Sequence, residues 1–190
     1  MNRILLDTIN KKNTSRPPVW FMRQAGRILP SYRELKKSHH FYSMMKDKEL
    51  ATEVTLLPIN DLKVDAAILF SDILVIPDAM GLELDFTSNG PKFSNALKNT
   101  GNNKIKYDPS KLGYVYDNIK TIKNKNNDIP LIGFCGGPLT TFLFMFRATE
   151  NNKSFKDAIK FFYSNRKESI KILEQITEAS IDYAKNQVLS

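Results

Sequence analysis

The chain has 190 residues, with 28 Lys and Arg against 20 Asp and Glu and only one cysteine. Its 12 Phe and 7 Tyr supply enough apolar mass for a packed core, which excludes disorder as the overall state. Cys135 alone builds neither a disulfide framework nor a Cys-rich metal site, and no apolar run reaches the ~18–20 residues of a membrane-spanning helix. The apolar stretch near the N-terminus, Ile4–Leu6, is too short for a secretory core. A cytoplasmic protein without membrane association is the expectation. The formal charge of +8 comes mostly from Lys, often beside Asn (Asn102–Asn103–Lys104, Lys123 to Asn127, Asn151–Lys153). Scattered in this way the lysines read as solvated surface. A nucleic-acid footprint would cluster basic and aromatic residues on one element, so no nucleic-acid partner is expected.

In chain order, residues 1–16 are polar and read as a loose arm. Pro17–Pro18 sets an extended entry into Val19–Met22, a short apolar run that suits a buried strand. Gly26 ends it, and Pro30 opens a helical turn through Lys37; His39–His40 fall in a polar connection. Asp47 is placed to cap a helix from Lys48 to Asn60, which Pro58 should kink or end. Ala66–Phe70 is a second all-apolar strand candidate, closing at Ser71–Asp72 and followed by Ile73–Met80. Leu82–Phe86 with a turn at Asn89–Gly90–Pro91 predicts a hairpin. Asp108–Pro109–Ser110 opens a helix whose stripe is Leu112, Val115, Ile119 and Ile122. Pro130–Phe134 is the third strand candidate, and Gly136–Gly137–Pro138 follows as a flexible run. Ser154 and Asp157 have the spacing of a capping box, and the rest is helical with a break near Ser164–Asn165. Ile172, Leu173, Ile176, Ala179 and Tyr183 form its apolar stripe. Three apolar runs alternating with helices predict an α/β fold with a parallel sheet buried on both faces.

Parallel α/β folds carry their chemistry at the carboxyl ends of the strands. Arg23 and Arg27 follow the first run, Asp72 the second and Gly133–Pro138 the third. A guanidinium binds a carboxylate through two parallel hydrogen bonds, so two arginines flanking Gln24–Ala25–Gly26 make a carboxylate clamp. The same arginines could instead bridge to helix carboxylates. Asp72 could be a functional carboxylate or simply cap the segment after it. Gly136–Gly137 lacks the surrounding pattern of a nucleotide-binding loop, and Cys135, with no paired His motif, reads as a small packed residue.

Residues Pro17 to Tyr32, PPVWFMRQAGRILPSY, resemble the N-terminal signature of the uroporphyrinogen decarboxylase family. Ala67 to Leu74 (AILFSDIL) and Gly133 to Thr140 (GFCGGPLT) are similar to that family's second and third blocks, in the family's order. The resemblance implies a (β/α)₈ barrel, here its first three βα units with a hairpin addition, the whole of 1–190 being the N-terminal portion of one such domain. It implies decarboxylation of the four acetate side chains of uroporphyrinogen III to coproporphyrinogen III in tetrapyrrole synthesis, with no metal and no organic cofactor. By the resemblance, Asp72 accepts hydrogen bonds from the central pyrrole N–H groups and favours a cationic intermediate. Arg23 and Arg27 bind the acidic arms, Arg23 nearest the proton transfer, and Gln24, Ala25 and Gly26 line the same pocket through their backbone.

The chain departs from the family's pattern at several positions. Phe144 stands where Tyr is usual and so lacks a hydroxyl for substrate, Leu139 replaces Trp, Ile28 replaces Tyr, and Arg147–Asn152 replaces a glycine-rich loop. The family's later active-site residues have no counterpart before Ser190. The 190-residue stretch alone is therefore expected to be inactive, and the full-length form to be a homodimer. Two alternatives belong to other classes: a non-catalytic fragment or interaction module, and a metal-dependent corrinoid or thiol methyltransferase of the same barrel superfamily.

Overall fold

The computed structural model describes residues 3–87, 90–97, 105–126, 128–146 and 154–190. Asn89 of the expected turn, the Arg147–Asn152 segment and most of the Lys/Asn clusters lie outside these. The chain divides into two compact units, one formed by Met1–Ser71, Tyr114–Gly133 and Ser190, the other by Asp72–Gly113 and Phe134–Leu189.

The first unit begins with a short helix, α1 (Ile4–Ile9), none of whose residues is buried. The arm expected to be loose is thus partly helical, and it is also tied down. Arg16 donates from both terminal nitrogens to Asp65, at 2.5 and 2.8 Å, and the Asp65 side chain is 1% exposed. Helix α2 (Pro30–Ser38) starts on its proline, whose missing N–H costs nothing in the first turn. A short α3 (Phe41–Lys46), not foreseen in the sequence, buries Met44 and Met45. In α4 (Lys48–Leu62) the Asp47 carboxylate caps the N–H groups of Glu49 and Leu50. Pro58 does not end this helix, which continues to a left-handed Lys63 at φ +54°. The bond lost at Pro58 is offset because the proline sits on the buried face with Ala51, Val54 and Thr55. Thr55 further ties that face to the sheet, accepting from the Phe70 N–H at 3.0 Å.

Ala66–Phe70 contains β1 (Ala67–Ile68), paired in parallel with β4 (Leu131–Ile132). Donation from Ala67 to the Pro130 carbonyl and from Leu69 to that of Ile132 extends the ladder at both ends. The crossover between the two strands ends in α6 (Gly113–Lys125), which buries Val115, Ile119 and Ile122 as the stripe predicts. The first apolar run is a correction: Val19–Met22 forms no strand, and all four residues are exposed, Met22 to 80%. Its backbone groups are taken by other partners, because Val19 N–H donates to the Asp65 carboxylate and Phe21 N–H to the Gln24 amide.

The second unit opens on the turn after Ser71. A single helical turn, α5 (Val75–Pro77), runs into a wider one over Asp78–Leu82, broken at Gly81 where φ is +93°. That conformation suits glycine because no Cβ obstructs it. The predicted hairpin is present: β2 (Leu84–Thr87) pairs antiparallel with β3 (Gly90–Phe93), Leu84 opposite Phe93 and Thr87 opposite Gly90. Asp108 caps a 3₁₀ turn over Pro109–Leu112. Gly136–Gly137–Pro138 is not merely a flexible run, since Pro138 opens α7 (Pro138–Met145). Ser154 does accept from the N–H of Lys156, but α8 (Lys156–Ser164) begins only there, which leaves Asp157 inside the first turn. After the break at Asn165, α9 (Arg166–Leu189) buries Ile172, Ile176, Ala179 and Tyr183, with Leu173 half-buried. Phe142 of α7 and Phe146, just past its end, pack against Phe162 and Phe161 of α8 to form an aromatic core. Among the described residues, no helix is long and apolar enough to cross a membrane.

Candidate functional site

In the first unit, residues 19–29 form a loop of two successive turns, closed by Gln24 N–H to Phe21 O and by Leu29 N–H to Gly26 O, each at 3.0 Å. Arg23 and Arg27 are exposed on it. Neither guanidinium makes a hydrogen bond or ion pair with a described residue, so the bridge to helix carboxylates does not form there. Arg33 of α2 donates to the Arg27 carbonyl at 3.1 Å and fixes the second turn. Tyr32 lies buried nearby, edge-on to Phe70. Burial pushes its phenol pKa up, and the positive field of Arg27 acts against that shift.

Gln24 differs from its neighbours because its side chain turns inward and is 2% exposed. Ala25 and Gly26 are half-buried, with their backbone in the same loop. Among the described residues, a Cβ on Gly26 would meet only the Arg23 carbonyl, at an ordinary 3.4 Å.

In the second unit, Asp72 is half-buried at the turn between the second apolar run and α5. Its Oδ1 accepts from the Leu74 N–H at 2.8 Å. Asp72 therefore does stabilise the next turn, as the capping alternative requires, but one hydrogen bond does not replace its lost hydration. Withdrawal from water raises its pKa from the ordinary 3.8 to about 6, against the lowering effect of the Leu74 N–H. At neutral pH the carboxylate is ionised and poorly solvated, the state in which a nearby developing cation gains most.

The third strand-end loop meets this turn directly. A Cβ on Gly136 would lie 2.6 Å from Thr141 Oγ1, 3.1 Å from Ile73 Cβ and 3.2 Å from the Ile73 carbonyl oxygen. Only a glycine lets the loop sit against the residue next to Asp72. The loop is anchored from behind by Gln187 of α9, which accepts from the Phe134 N–H and donates to the Phe134 carbonyl. With Phe134 pinned and Gly136 packed inward, Cys135 is left exposed, contrary to the packed position expected of it. Phe144, on α7, is half-buried and stands edge-on to Phe155, with ring centroids 5.3 Å apart. His39 closes α2 and His40 opens α3, and no group of three or more His, Cys, Asp or Glu able to hold a metal occurs among the described residues.

Sequence reasoning missed three supporting residues. In the sequence Gln187 is a polar side chain beside an apolar stripe and Asp65 a carboxylate inside an apolar run, while Gly136 reads only as part of a flexible run.

Comparison with known proteins gives this geometry a context. The family model described as uroporphyrinogen decarboxylase matches residues 1–190. A uroporphyrinogen decarboxylase of Vesicomyosocius okutanii is 44% identical over 97% of this chain and 54% of its own length. The enzymes of that name from Flavobacterium johnsoniae and Aquifex aeolicus are 42% and 39% identical, each over 98% of this chain and 56% and 55% of theirs. The chain thus spans about half the length of the curated relatives it matches. Among solved structures, a methyltransferase from Methanosarcina mazei superposes with a TM-score of 0.72 at 22% identity, over 98% of this chain and 55% of that one. That likeness supports the α/β fold. On the family match and the curated relatives, the chain belongs to the uroporphyrinogen decarboxylase family.

Proposed function

We propose that the natural polypeptide decarboxylates the four acetate arms of uroporphyrinogen III to methyl groups, giving coproporphyrinogen III without a metal or organic cofactor. Family membership supports the substrate class. The observation that carries the chemistry is Asp72, a desolvated carboxylate with a pKa near 6 at a strand-end turn. Losing carbon dioxide from a pyrrole-acetate needs an electron sink. Protonation of the ring carbon supplies one, leaving a cationic ring. The bond to the carboxylate then breaks, its electron pair neutralises the ring, and carbon dioxide departs. The exocyclic methylene left behind takes up a proton to become methyl, and the ring proton is lost. Asp72 stabilises the pyrrole cation where charge develops, and it needs no rearrangement to do so. Arg23 and Arg27 hold the acidic arms, Arg23 nearest the proton transfer, with the backbone of Gln24, Ala25 and Gly26 lining the same pocket and Phe144 against the substrate.

This reading makes Ala66–Phe70 and Pro130–Phe134 strand positions of a (β/α)₈ barrel, with Val19–Met22, which forms no strand, in the loop before them. The Leu84–Phe93 hairpin is an addition to it, and the whole chain is part of one domain. The full-length form is a cytoplasmic homodimer, and residues 1–190 alone are inactive. The test is anaerobic incubation of uroporphyrinogen III with the natural polypeptide, expressed from its complete reading frame, and with the 190-residue chain in parallel. Coproporphyrinogen formation by the first and not the second is expected; an inactive natural polypeptide overturns the reading. The methyltransferase-like fold motivates a second reading, a metal-dependent methyl transfer. The Arg23–Arg27 run argues for the first, and stoichiometric zinc in the natural polypeptide would favour the second.

A further inference from the structure

Gln24 lies between the two exposed arginines, yet its own side chain is withdrawn from solvent. Its amide is used at both ends. Nε2 donates to the Ala66 carbonyl at 2.8 Å, and Oε1 accepts from the Phe21 N–H at 3.0 Å. Ala66 immediately precedes β1, so the first bond fastens the loop to the start of a strand, while the second closes the turn that carries Arg23. The backbone adds the Gln24 N–H bond to Phe21 O, which makes Gln24 and Phe21 a reciprocal pair. The segment before the loop is fastened independently. Asp65 binds Arg16 and the Val19 N–H through its carboxylate, and its own N–H donates to the Val19 carbonyl at 2.8 Å.

Exposed arginines have long, freely rotating side chains, so a two-arginine clamp needs a fixed backbone beneath it. The loop here has no regular secondary structure to provide one. We infer that Gln24 is a positioning residue: its buried amide fixes the Arg23–Arg27 backbone to β1 and thereby sets the spacing of the two guanidiniums that receive the substrate's carboxylates. This rests on the proposed function for the identity of the substrate. It differs from a pocket-lining role because the Gln24 side chain is committed to Ala66 and Phe21 and is not free to meet a ligand. The neutral amide donates to the carbonyl and accepts from the N–H at once; a carboxylate keeps the acceptor and loses the donor, and a thioether loses the donor and keeps only a weak acceptor.

The test compares Gln24→Met, Gln24→Glu and Arg27→Ala in the natural polypeptide, reading KM, kcat and melting temperature with uroporphyrinogen III. For Gln24→Met the expectation is a rise in KM of about tenfold with kcat changed less than threefold, as suits loss of ordered binding groups. Gln24→Glu should fall between this variant and the parent, and it remains informative where Gln24→Met fails to fold. A parental KM in both Gln24 variants, while Arg27→Ala raises KM, overturns the inference and leaves the arginine clamp standing. A parental KM in all three overturns the clamp and the inference with it. A fall in melting temperature and kcat with KM unchanged also overturns it, because that pattern marks a merely structural side chain.

Discussion

The arginine loop and the Asp72 turn solve opposite problems. Arg23 and Arg27 carry charges that no protein environment removes, and the chain leaves them exposed while burying the glutamine between them. Asp72 carries a charge that its surroundings can tune, and here the carboxylate itself is withdrawn from water. A permanently charged binding group needs only a fixed position. A group whose value depends on its protonation state needs a particular environment, and stability is given up to create it.

Removing the Asp72 charge therefore gives the largest expected effect. Asp72→Asn keeps an oxygen able to accept from Leu74, so the turn should survive. In the natural polypeptide, kcat should fall by about 10²-fold or more, the scale of losing one preorganised electrostatic group. Stability should move the other way. Between pH 4 and 6 the folded chain holds the Asp72 proton and the unfolded chain does not, so this group's contribution falls as pH rises through that window and is flat above it. The Asn variant should thus gain roughly 1–3 kcal/mol over the parent at pH 7.5, and nothing near pH 4. Thermal melts at the two pH values check this, and equal gains at both would sever the link to Asp72 ionisation. The same pKa predicts that kcat/KM of the parent declines on the acid side with a midpoint near pH 6.

Gly136→Ala attacks the same region through its packing. The added methyl meets Thr141 Oγ1 and Ile73 inside ordinary contact distance, so overpacking should cost about 1–3 kcal/mol. Displacement of Ile73 should also move the acid-side midpoint of the pH profile, because Asp72 is its neighbour in the chain. A melting temperature and profile like the parent's would mean that the loop yields freely, and that Asp72 is set by other contacts.

For the arginine loop the comparison predicts the reverse split. Arg27→Ala should raise KM about 10–100-fold, the scale of lost charge-assisted hydrogen bonds, and leave the melting temperature within a degree. Arg27 makes no hydrogen bond or ion pair among the described residues, so its removal leaves no described partner stranded. A large drop in melting temperature would show that the loop depends on its guanidinium and would dissolve the contrast with Asp72.

The positions proposed to carry the chemistry stand out in the sequence because each follows an apolar run, and an apolar run is a local pattern whether or not it forms a strand. The Asp47 cap, the hairpin and the stripes of α6 and α9 were readable for the same reason. What stayed hidden depends on distant partners. Val19–Met22 looks like a strand by composition, but strand formation needs a neighbour to accept its ladder bonds. Within this chain Asp65 and the Gln24 amide take those groups. Pro58 looks like a stop, since propensity is blind to a buried helix face that outweighs one missing bond. The inward turn of Gln24 and the fit of Gly136 against Ile73 are tertiary facts with no local signature.

The smallest effect should come from Phe144→Tyr, which supplies the hydroxyl that the family resemblance leads one to expect at this position. Phe144 is half-buried and packs its ring edge against Phe155. Tyr preserves that contact and adds one polar atom, so the cost in stability depends on whether the hydroxyl reaches water or a partner. Phe144 is only half-buried, and a change within about 0.5 kcal/mol is expected. A single hydrogen bond to a substrate carboxylate would add about 1.5 kcal/mol, the low end for a bond to a charged group, lowering KM roughly tenfold. Such a gain without change in kcat would assign the hydroxyl to uniform substrate binding and leave the electrostatic role with Asp72. A gain in kcat instead would mean that orientation of the acetate arm limits the reaction, which would place the control of rate in α7 as well as at the Asp72 turn.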